Sequence, residues 1–474
     1  MMKARCPSSG VWDYSFDPTA AEAVPELATR LRNSQPAWQS AGLEGRVAVL
    51  GQFAEQLRHR RDAIEAALAA DTGRQPLSTI ETDGLFQKIE RDSAKAVALL
   101  ENRRRQRERI EPFTAEPMLT PYPLVGNITP WNFPVSLSFL DTLQALLMGC
   151  AVIVKPSEVT PRFVEPIADA ISATAGLCDV FAFVRGGPEV GQALIHTVDY
   201  ICFTGSAETG RKVFAEAGKA FIPSSMELGG KDPAIVLDDA DIERTAASVM
   251  LGAVLASGQI CTSLERIYVH RRVHDPFVAA LKRCAARCTL SCDDPAGILV
   301  PFIHAPQADV FTAHVADATA SGADLVCGGD VIDRGGLWPT ATVLTNVTHE
   351  MRVMREESFA PILPVMAFDT DEEAIALAND SRYGLSAVIY AQDTSRARKI
   401  GRRIRCGATS LNMSRAHIRM RGFQQQPFGA SGIGASRVGD SGLLRFCRQS
   451  ALISGEEDDA ATLEHAQISA AFGS

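Results

Sequence analysis

The chain reads as an α/β protein built on parallel sheets, and three observations carry that reading. From residue 124 onward, short apolar runs alternate with helical stretches, the pattern of parallel strands joined by crossover helices and covered on both faces. A second series of the same kind opens near Ala234-Ile235-Val236-Leu237 and runs to about Leu411. At 474 residues the chain is too long for one small core, so two or three domains are expected.

The elements follow in order. The first hundred residues read as helices: Ala63 to Ala70 is Ala-rich, and the charged stretch from Glu81 to Arg109 continues the signal. The pattern breaks at Glu111-Pro112-Phe113. Leu124 to Thr129 is a buried strand ended by Pro130. Ala151-Val152-Ile153-Val154 is a strand, Val164 to Ala175 a helix, and Phe181-Ala182-Phe183-Val184 a strand stopped by Gly186-Gly187. Tyr200-Ile201-Cys202-Phe203 is another strand, followed by Gly205 and a helix from about Glu208. No internal repeat is evident. The end of the chain is acidic and Ala-rich, with Glu456-Glu457-Asp458-Asp459, and is expected to be mobile.

Composition excludes several classes. A formal charge of -9 argues against a nucleic-acid-binding surface. No apolar run approaches the ~18 residues that span a bilayer, and the N-terminal segment lacks the apolar stretch of a secretory signal, so a cytoplasmic location is expected. The 11 cysteines are an odd number without a CxxC pair, which disfavours a disulfide framework and a zinc ribbon. Cys284, Cys288 and Cys292 recur every four residues, which predicts one helical face of small buried side chains. The nine histidines form no HExxH pattern, and no metal is expected.

Three runs carry chemistry. Cys261 lies in Gly258-Gln259-Ile260-Cys261-Thr262-Ser263, a small, polar, turn-forming context. Most cysteines are inert core residues, and a nucleophilic thiol needs an electropositive or dipole-rich setting. Glu227 opens Glu227-Leu228-Gly229-Gly230-Lys231, where the glycines predict a flexible turn beside open space. Asn132 sits in Pro130-Trp131-Asn132-Phe133-Pro134. These supply a nucleophile, a general base and an amide donor. Phe203-Thr204-Gly205-Ser206-Ala207-Glu208-Thr209-Gly210 joins a strand to a helix, where free amides attract phosphate, although it lacks GxGxxG spacing. Lys155-Pro156-Ser157-Glu158 also follows a strand, and a carboxylate there can accept hydrogen bonds from ribose hydroxyls. Each run alone has an ordinary reading as a packed turn or a solvated loop.

As an ordered set the motifs resemble the NAD(P)-dependent aldehyde dehydrogenase superfamily, from about residue 20 to residue 450. PWNFP, KPSE, FTGSxxxG, ELGGK and GQxC are joined by Glu356-Glu357-Ser358-Phe359-Ala360-Pro361. The resemblance implies that Cys261 attacks the aldehyde carbon, that Asn132 and the backbone amide of Cys261 hold the oxyanion, and that Glu227 activates the water that hydrolyses a thioester. It implies a cofactor site of Ile128, Trp131, Lys155, Ser157, Glu158, Gly205, Ser206, Thr209, Gly210, Leu228, Glu357 and Phe359. The cofactor is NAD, with NADP as the alternative, because the charge of Glu158 would repel a 2′-phosphate. Glu227 also argues against the branch that passes its acyl group to coenzyme A. A substrate tunnel of Phe133, Leu137, Leu140, Leu255 and Phe428 suits an apolar or aromatic aldehyde.

The resemblance further implies a doubly wound cofactor domain (1–108 and 124–229), an α/β catalytic domain (230–432) and a small β oligomerisation extension (109–123 and 433–455), ahead of the tail at 456–474. A homodimer or homotetramer is expected. The sequence departs from the family at Ala360 and Ala430, where glycine is usual, and in a shortened linker near Asp293-Asp294-Pro295. It departs also in a long basic loop between Asn412 and Pro427, with Arg415, His417, Arg419 and Arg421. That loop favours an alternative substrate, a carboxylated semialdehyde such as succinic semialdehyde, since arginine grips carboxylates bidentately. Two readings of another kind are a catalytically silent structural member and a Cys-His thiol hydrolase; the second fits poorly because no histidine neighbours the motifs.

Overall fold

The computed structural model describes residues 1–106, 108–110, 113–294 and 296–455. The acidic tail at 456–474 lies outside them. An antiparallel hairpin, Met2–Ala4 with Tyr14–Phe16, precedes the helices and was not expected from a region that reads as helical. Its three-residue strands are too short to show a period of two. Four helices follow: Val24–Ser40, Gly42–Arg58, Arg61–Thr72 and Gln75–Arg104. In the second, Leu50, Phe53, Ala54 and Leu57 are buried, the i, i+3, i+4, i+7 stripe that lays a helix on a core.

The first sheet runs Gly432–Ile433, Ser224–Glu227, Tyr200–Thr204, Leu124–Ile128, Ala151–Lys155, Phe181–Phe183. Every neighbouring pair is parallel except the Gly432–Ile433 edge, which is antiparallel. The chain enters at the central Leu124–Ile128 strand, winds out to one side through Phe181–Phe183, then crosses back to Tyr200–Thr204. That reversal leaves a crevice beyond the carboxyl ends of Ile128 and Thr204, where open α/β sheets bind ligands. The core beneath is aromatic: Phe53, Phe139 and Phe181 meet with ring centroids 5.8–6.5 Å apart, each burial stabilising by about 2–3 kcal/mol.

The second sheet runs Asp324–Cys327, Thr342–Thr345, Ile362–Phe368, Leu264–His270, Asp232–Val236, Ser386–Tyr390, Ala408–Leu411. It is parallel except for the antiparallel Asp324–Cys327 edge. A third, antiparallel sheet joins Glu108–Ile110, Phe113–Pro121 and Cys447–Gly455. Two local expectations fail. The helix His274–Ala285 ends before Cys288 and Cys292, so the three cysteines do not share a helical face; the Cys288 thiol instead turns back to the Cys284 carbonyl. Glu227 is not on a flexible turn. It is the last residue of a strand, paired through its backbone with Thr204 on one side and Gly432 on the other.

Candidate active site

The nucleophile candidate stands on a strained and pinned loop. Ala256 and Ser257 both hold φ of 54°, and Gly258 holds 72°, so three left-handed residues precede Cys261. For the two with side chains this costs on the order of 1–3 kcal/mol each. The surroundings that hold the loop are specific. Ser257 Oγ donates to the Val300 carbonyl at 2.7 Å and accepts from its N–H at 2.8 Å. The Gln259 side chain donates to the carbonyls of Ala256 (3.0 Å) and Pro301 (3.1 Å) and accepts from the Ile303 N–H (3.0 Å). Gln259 is fully buried, so the glutamine of the motif is an anchor.

Asn132 comes to this loop from the first sheet. Its Nδ2 donates to the Gln259 carbonyl at 3.0 Å, two residues before Cys261, and one amide hydrogen remains for another acceptor. The Asn132 carbonyl accepts from Arg74. Arg74 is fully buried and its guanidinium lies 4.6 Å from the Phe133 ring centroid. Nothing in the local sequence marks Arg74, because the link between helices that carries it, just ahead of Gln75–Arg104, is remote from the motif.

Glu227, Gly229 and Gly230 bridge the two large sheets. A side chain at Gly229 would overlap the Glu357 carboxylate, and one at Gly230 would overlap the Cys261 carbonyl. The paired glycines therefore let three segments approach within contact. Gly230 N–H donates to Glu357 at 3.1 Å. Burial raises the Glu357 carboxyl to about 8, the Glu265 carboxylate adding to the shift. Burial also raises Glu227, against the pull of Arg437, which suits a base working near neutral pH. The Cys261 thiol is pushed up to about 12, first by burial and then by Asp232, Glu357 and Glu227. Burial, Asp232, Glu357, Glu227 and Arg437 are the largest influences on it, with no histidine among them, which gives no support to a Cys-His pair. The protein alone thus keeps Cys261 protonated, and the carboxylates that do so are the ones a cationic ligand would offset.

The 357–359 segment is fixed from behind. Glu265 accepts from the N–H groups of Ser358 (2.7 Å) and Phe359 (2.8 Å) and from Lys231 Nζ (2.6 Å). Phe359 sits at φ 48° with its ring edge-on to Trp131 at 5.4 Å. Ala360, the departure from glycine, is buried against Gly258, and the left-handed residue is its neighbour Phe359, so the alanine meets no backbone strain.

The crevice at the reversal point collects the cofactor candidates. Ile128 and Lys155 end adjacent strands. Lys155 Nζ lies 3.1 Å from the Glu158 carboxylate, and Ser157 Oγ accepts from the Val159 N–H. Ser206 caps the helix Ala207–Lys219, accepting from the Thr209 N–H at 3.2 Å, which leaves the first helical amides free at the mouth of the crevice. Gly210 and Leu228 meet each other: a side chain at Gly210 would strike the Leu228 methyls. A dinucleotide fits this set, with donors for phosphate at a helix start and a carboxylate and ammonium at a strand end.

Among the tunnel candidates, Phe133, Leu137 and Leu255 are half-buried and Phe428 is exposed. Leu140 lines a cavity of about 240 Å³ together with Lys88, Arg91, Asp92, Lys95, Gln144, Arg419 and Arg421. Beneath lies a buried ion cluster that local sequence does not mark: Asp141 accepts from both Arg437 and Arg445, and Arg437 also reaches Thr204 Oγ1 at 2.7 Å. Among the described residues no group of three or more His, Cys, Asp or Glu could hold a metal ion, and no helix is long and apolar enough to cross a membrane.

A two-sheet α/β protein with a cysteine loop, an amide and a carboxylate meeting beside a dinucleotide-type crevice has the form of an aldehyde-oxidising enzyme. The Aldehyde dehydrogenase family profile matches residues 2–452, and the chain belongs to that family. It is similar to the solved structure of a candidate aldehyde dehydrogenase, PutA, from Anabaena variabilis, with TM-score 0.93, 42% identity, and 96% of this chain and 98% of that one covered. It is 33% identical to a candidate succinate-semialdehyde dehydrogenase [NADP(+)] of Mycolicibacterium smegmatis, over 90% of this chain and 83% of the relative. It is 35% identical to a 4,4'-diapolycopene aldehyde oxidase of a Methylomonas species, over 89% and 80%.

Proposed function

We propose that the protein oxidises an aldehyde to its carboxylic acid with NAD(P) through a thioester on Cys261. Sγ bonds to the carbonyl carbon as the thiol proton passes to solvent water. The new oxyanion is met by Asn132 Nδ2 and the Cys261 N–H, each such donor being worth about 3–4 kcal/mol in the transition state. Lys155, Glu158, Gly205, Ser206, Glu357 and Phe359 would hold NAD(P), which would supply the hydride acceptor needed to oxidise the Cys261 adduct to a thioester. Glu227 then takes a proton from water, whose oxygen displaces Sγ and releases the acid. The observation that carries this reading is the convergence of Asn132, Glu227 and Cys261, from three separate segments, on one junction between the two sheets.

Within the same reading, the Glu158 carboxylate beside Lys155 favours NAD over NADP. The half-buried Phe133, Leu137 and Leu255 suit an apolar or aromatic substrate body. The work divides between a cofactor unit (1–108, 124–229) and a catalytic unit (230–432). The 109–123 and 433–455 ribbon pairs subunits into a dimer or tetramer, a role supported by exposed Met118, Leu452 and Ile453 on it. Cytoplasmic residence agrees with 11 cysteines that are all free. The test is NADH formation by the purified protein with benzaldehyde and hexanal. Wild type forms it, Cys261→Ala does not; turnover that survives Cys261→Ala would refute the proposal.

A further inference from the structure

The cavity beside Leu140 has a composition that an uncharged aldehyde does not need. Of its lining residues five are cationic, Lys88, Arg91, Lys95, Arg419 and Arg421, against one carboxylate, Asp92. Asp92 is already shared, bonded to Lys88 and lying 3.3 Å from Arg91 Nε. Lys95 reaches the rim carboxylate of Asp440, at 3.8 Å. Among the described residues no carboxylate is ion-paired within 4 Å to Arg419 or Arg421, and Arg421 Nε donates to the Ile418 carbonyl, at 2.8 Å. Arg421 is half-buried and Arg419 exposed. Burial weighs on the Arg421 cation, with the more distant Asp92 charge opposing it, a desolvation cost that an anion in the cavity would offset.

Two segments link the cavity to the neighbourhood of the reactive thiol. Leu140 lies on the helix Pro134–Met148, which starts directly after Asn132-Phe133, so it stands roughly 9 Å along the axis from the amide end. The basic loop is the second segment. Arg415 is near enough to Cys261 for the thiol to act on its charge, the single helical turn Ala416–Arg419 follows, and Arg419 and Arg421 end in the cavity. Along that turn Arg415 Nε and both His417 ring nitrogens are buried with no hydrogen-bond partner, and burial with Arg415 and Arg421 nearby drives His417 down to about 4, which leaves it neutral.

We propose that this cavity is an anion subsite, and that the substrate is an aldehyde with a carboxylate at its far end, joined to the aldehyde by an apolar body of about a ring or several methylenes. Arg419 and Arg421 take the carboxylate, while Lys88 and Arg91, already sharing Asp92, add positive potential behind it. The inference rests on the aldehyde dehydrogenase reading and names the substrate class of that same site.

The test compares substrates that differ only in the distal charge: 4-carboxybenzaldehyde against benzaldehyde, and adipic semialdehyde against hexanal, with saturating NAD. The charged member of at least one pair should have the higher kcat/KM by about tenfold to a hundredfold, the worth of one charge-assisted contact, and that preference should shrink as salt rises. Arg421→Gln and Arg419→Gln should each lower the charged-to-uncharged ratio, and Arg421→Lys should restore part of it. The wild-type ratio and its salt dependence need no variant, so a misfolded mutant does not blunt the test. Equal or better use of the uncharged members in both pairs overturns the subsite and leaves the dehydrogenase standing. An absence of NADH from all four aldehydes overturns both.

Discussion

Glu265 lies outside the reacting trio, yet replacing it should damage both stability and cofactor use. Its carboxylate is 2% exposed and receives three donors within 2.8 Å: Lys231 Nζ and the N–H groups of Ser358 and Phe359. In Glu265→Gln one oxygen remains and an NH2 group turns toward donors, so at least one donor is left without an acceptor and Lys231 loses its counter-charge. Lys231 is itself fully buried, and burial already pushes its ammonium down while Glu265 holds it up. Removing one partner of such a pair costs about 3–5 kcal/mol. The same bonds hold Phe359 at φ 48°, so KM for NAD should rise about tenfold, equivalent to a loss of roughly 1.4 kcal/mol of positioning. Chemical denaturation at pH 7 and a steady-state NAD titration read the two effects. A variant within 1 kcal/mol of the parent, with an unaltered KM for NAD, would refute the reasoning.

Other outcomes follow from the same geometry. Asp141→Asn leaves Arg437 and Arg445 buried without their shared carboxylate and should lower unfolding stability by about 3–5 kcal/mol. The two arginines hold Asp141 at about 2, below the usual carboxylate range, so its contribution is fully present above the unfolded-state value and is lost as pH falls through about 2; the wild-type advantage in denaturant midpoint should be full at pH 7 and already reduced at pH 3. Gly229→Ala pushes a methyl into the Glu357 carboxylate and should raise KM for NAD with little loss of secondary structure by circular dichroism. Because burial raises Glu227 and the base acts deprotonated, the kcat profile should climb with pH on a limb above the ordinary carboxylate range, and Glu227→Gln should abolish that limb.

Much of the architecture was legible because its strands are short, apolar and closed by glycine or proline. The strands at Leu124–Ile128, Ala151–Lys155, Phe181–Phe183, Tyr200–Thr204 and Asp232–Val236 lie within a residue or two of their expected places. The helix Val164–Ser172 also forms but stops earlier than expected. The Met2–Ala4 hairpin carried no signal, its strands being shorter than any periodicity can reveal. At the site, the motifs singled out the residues proposed to react, since Cys261, Asn132 and Glu227 each sit in a run of unusual local chemistry. The residues that hold them did not show: Arg74, Glu265, Arg437 and Asp141 owe their positions to partners on other elements, and spacing within one segment carries no trace of such pairing. Glu227 illustrates the limit. Its glycine neighbours suggested mobility, whereas their use is close approach of Glu357 and the Cys261 backbone.

If Cys261 carries the acyl group, Glu227→Gln should trap it there. Mixed with NAD and 4-carboxybenzaldehyde or hexanal, that variant should release a single burst of about one NADH per site and then stall. Mass spectrometry of the digested protein should find the acyl mass on the peptide holding Cys261. An adduct on another residue, or steady turnover with Cys261 unmodified throughout, would contradict it.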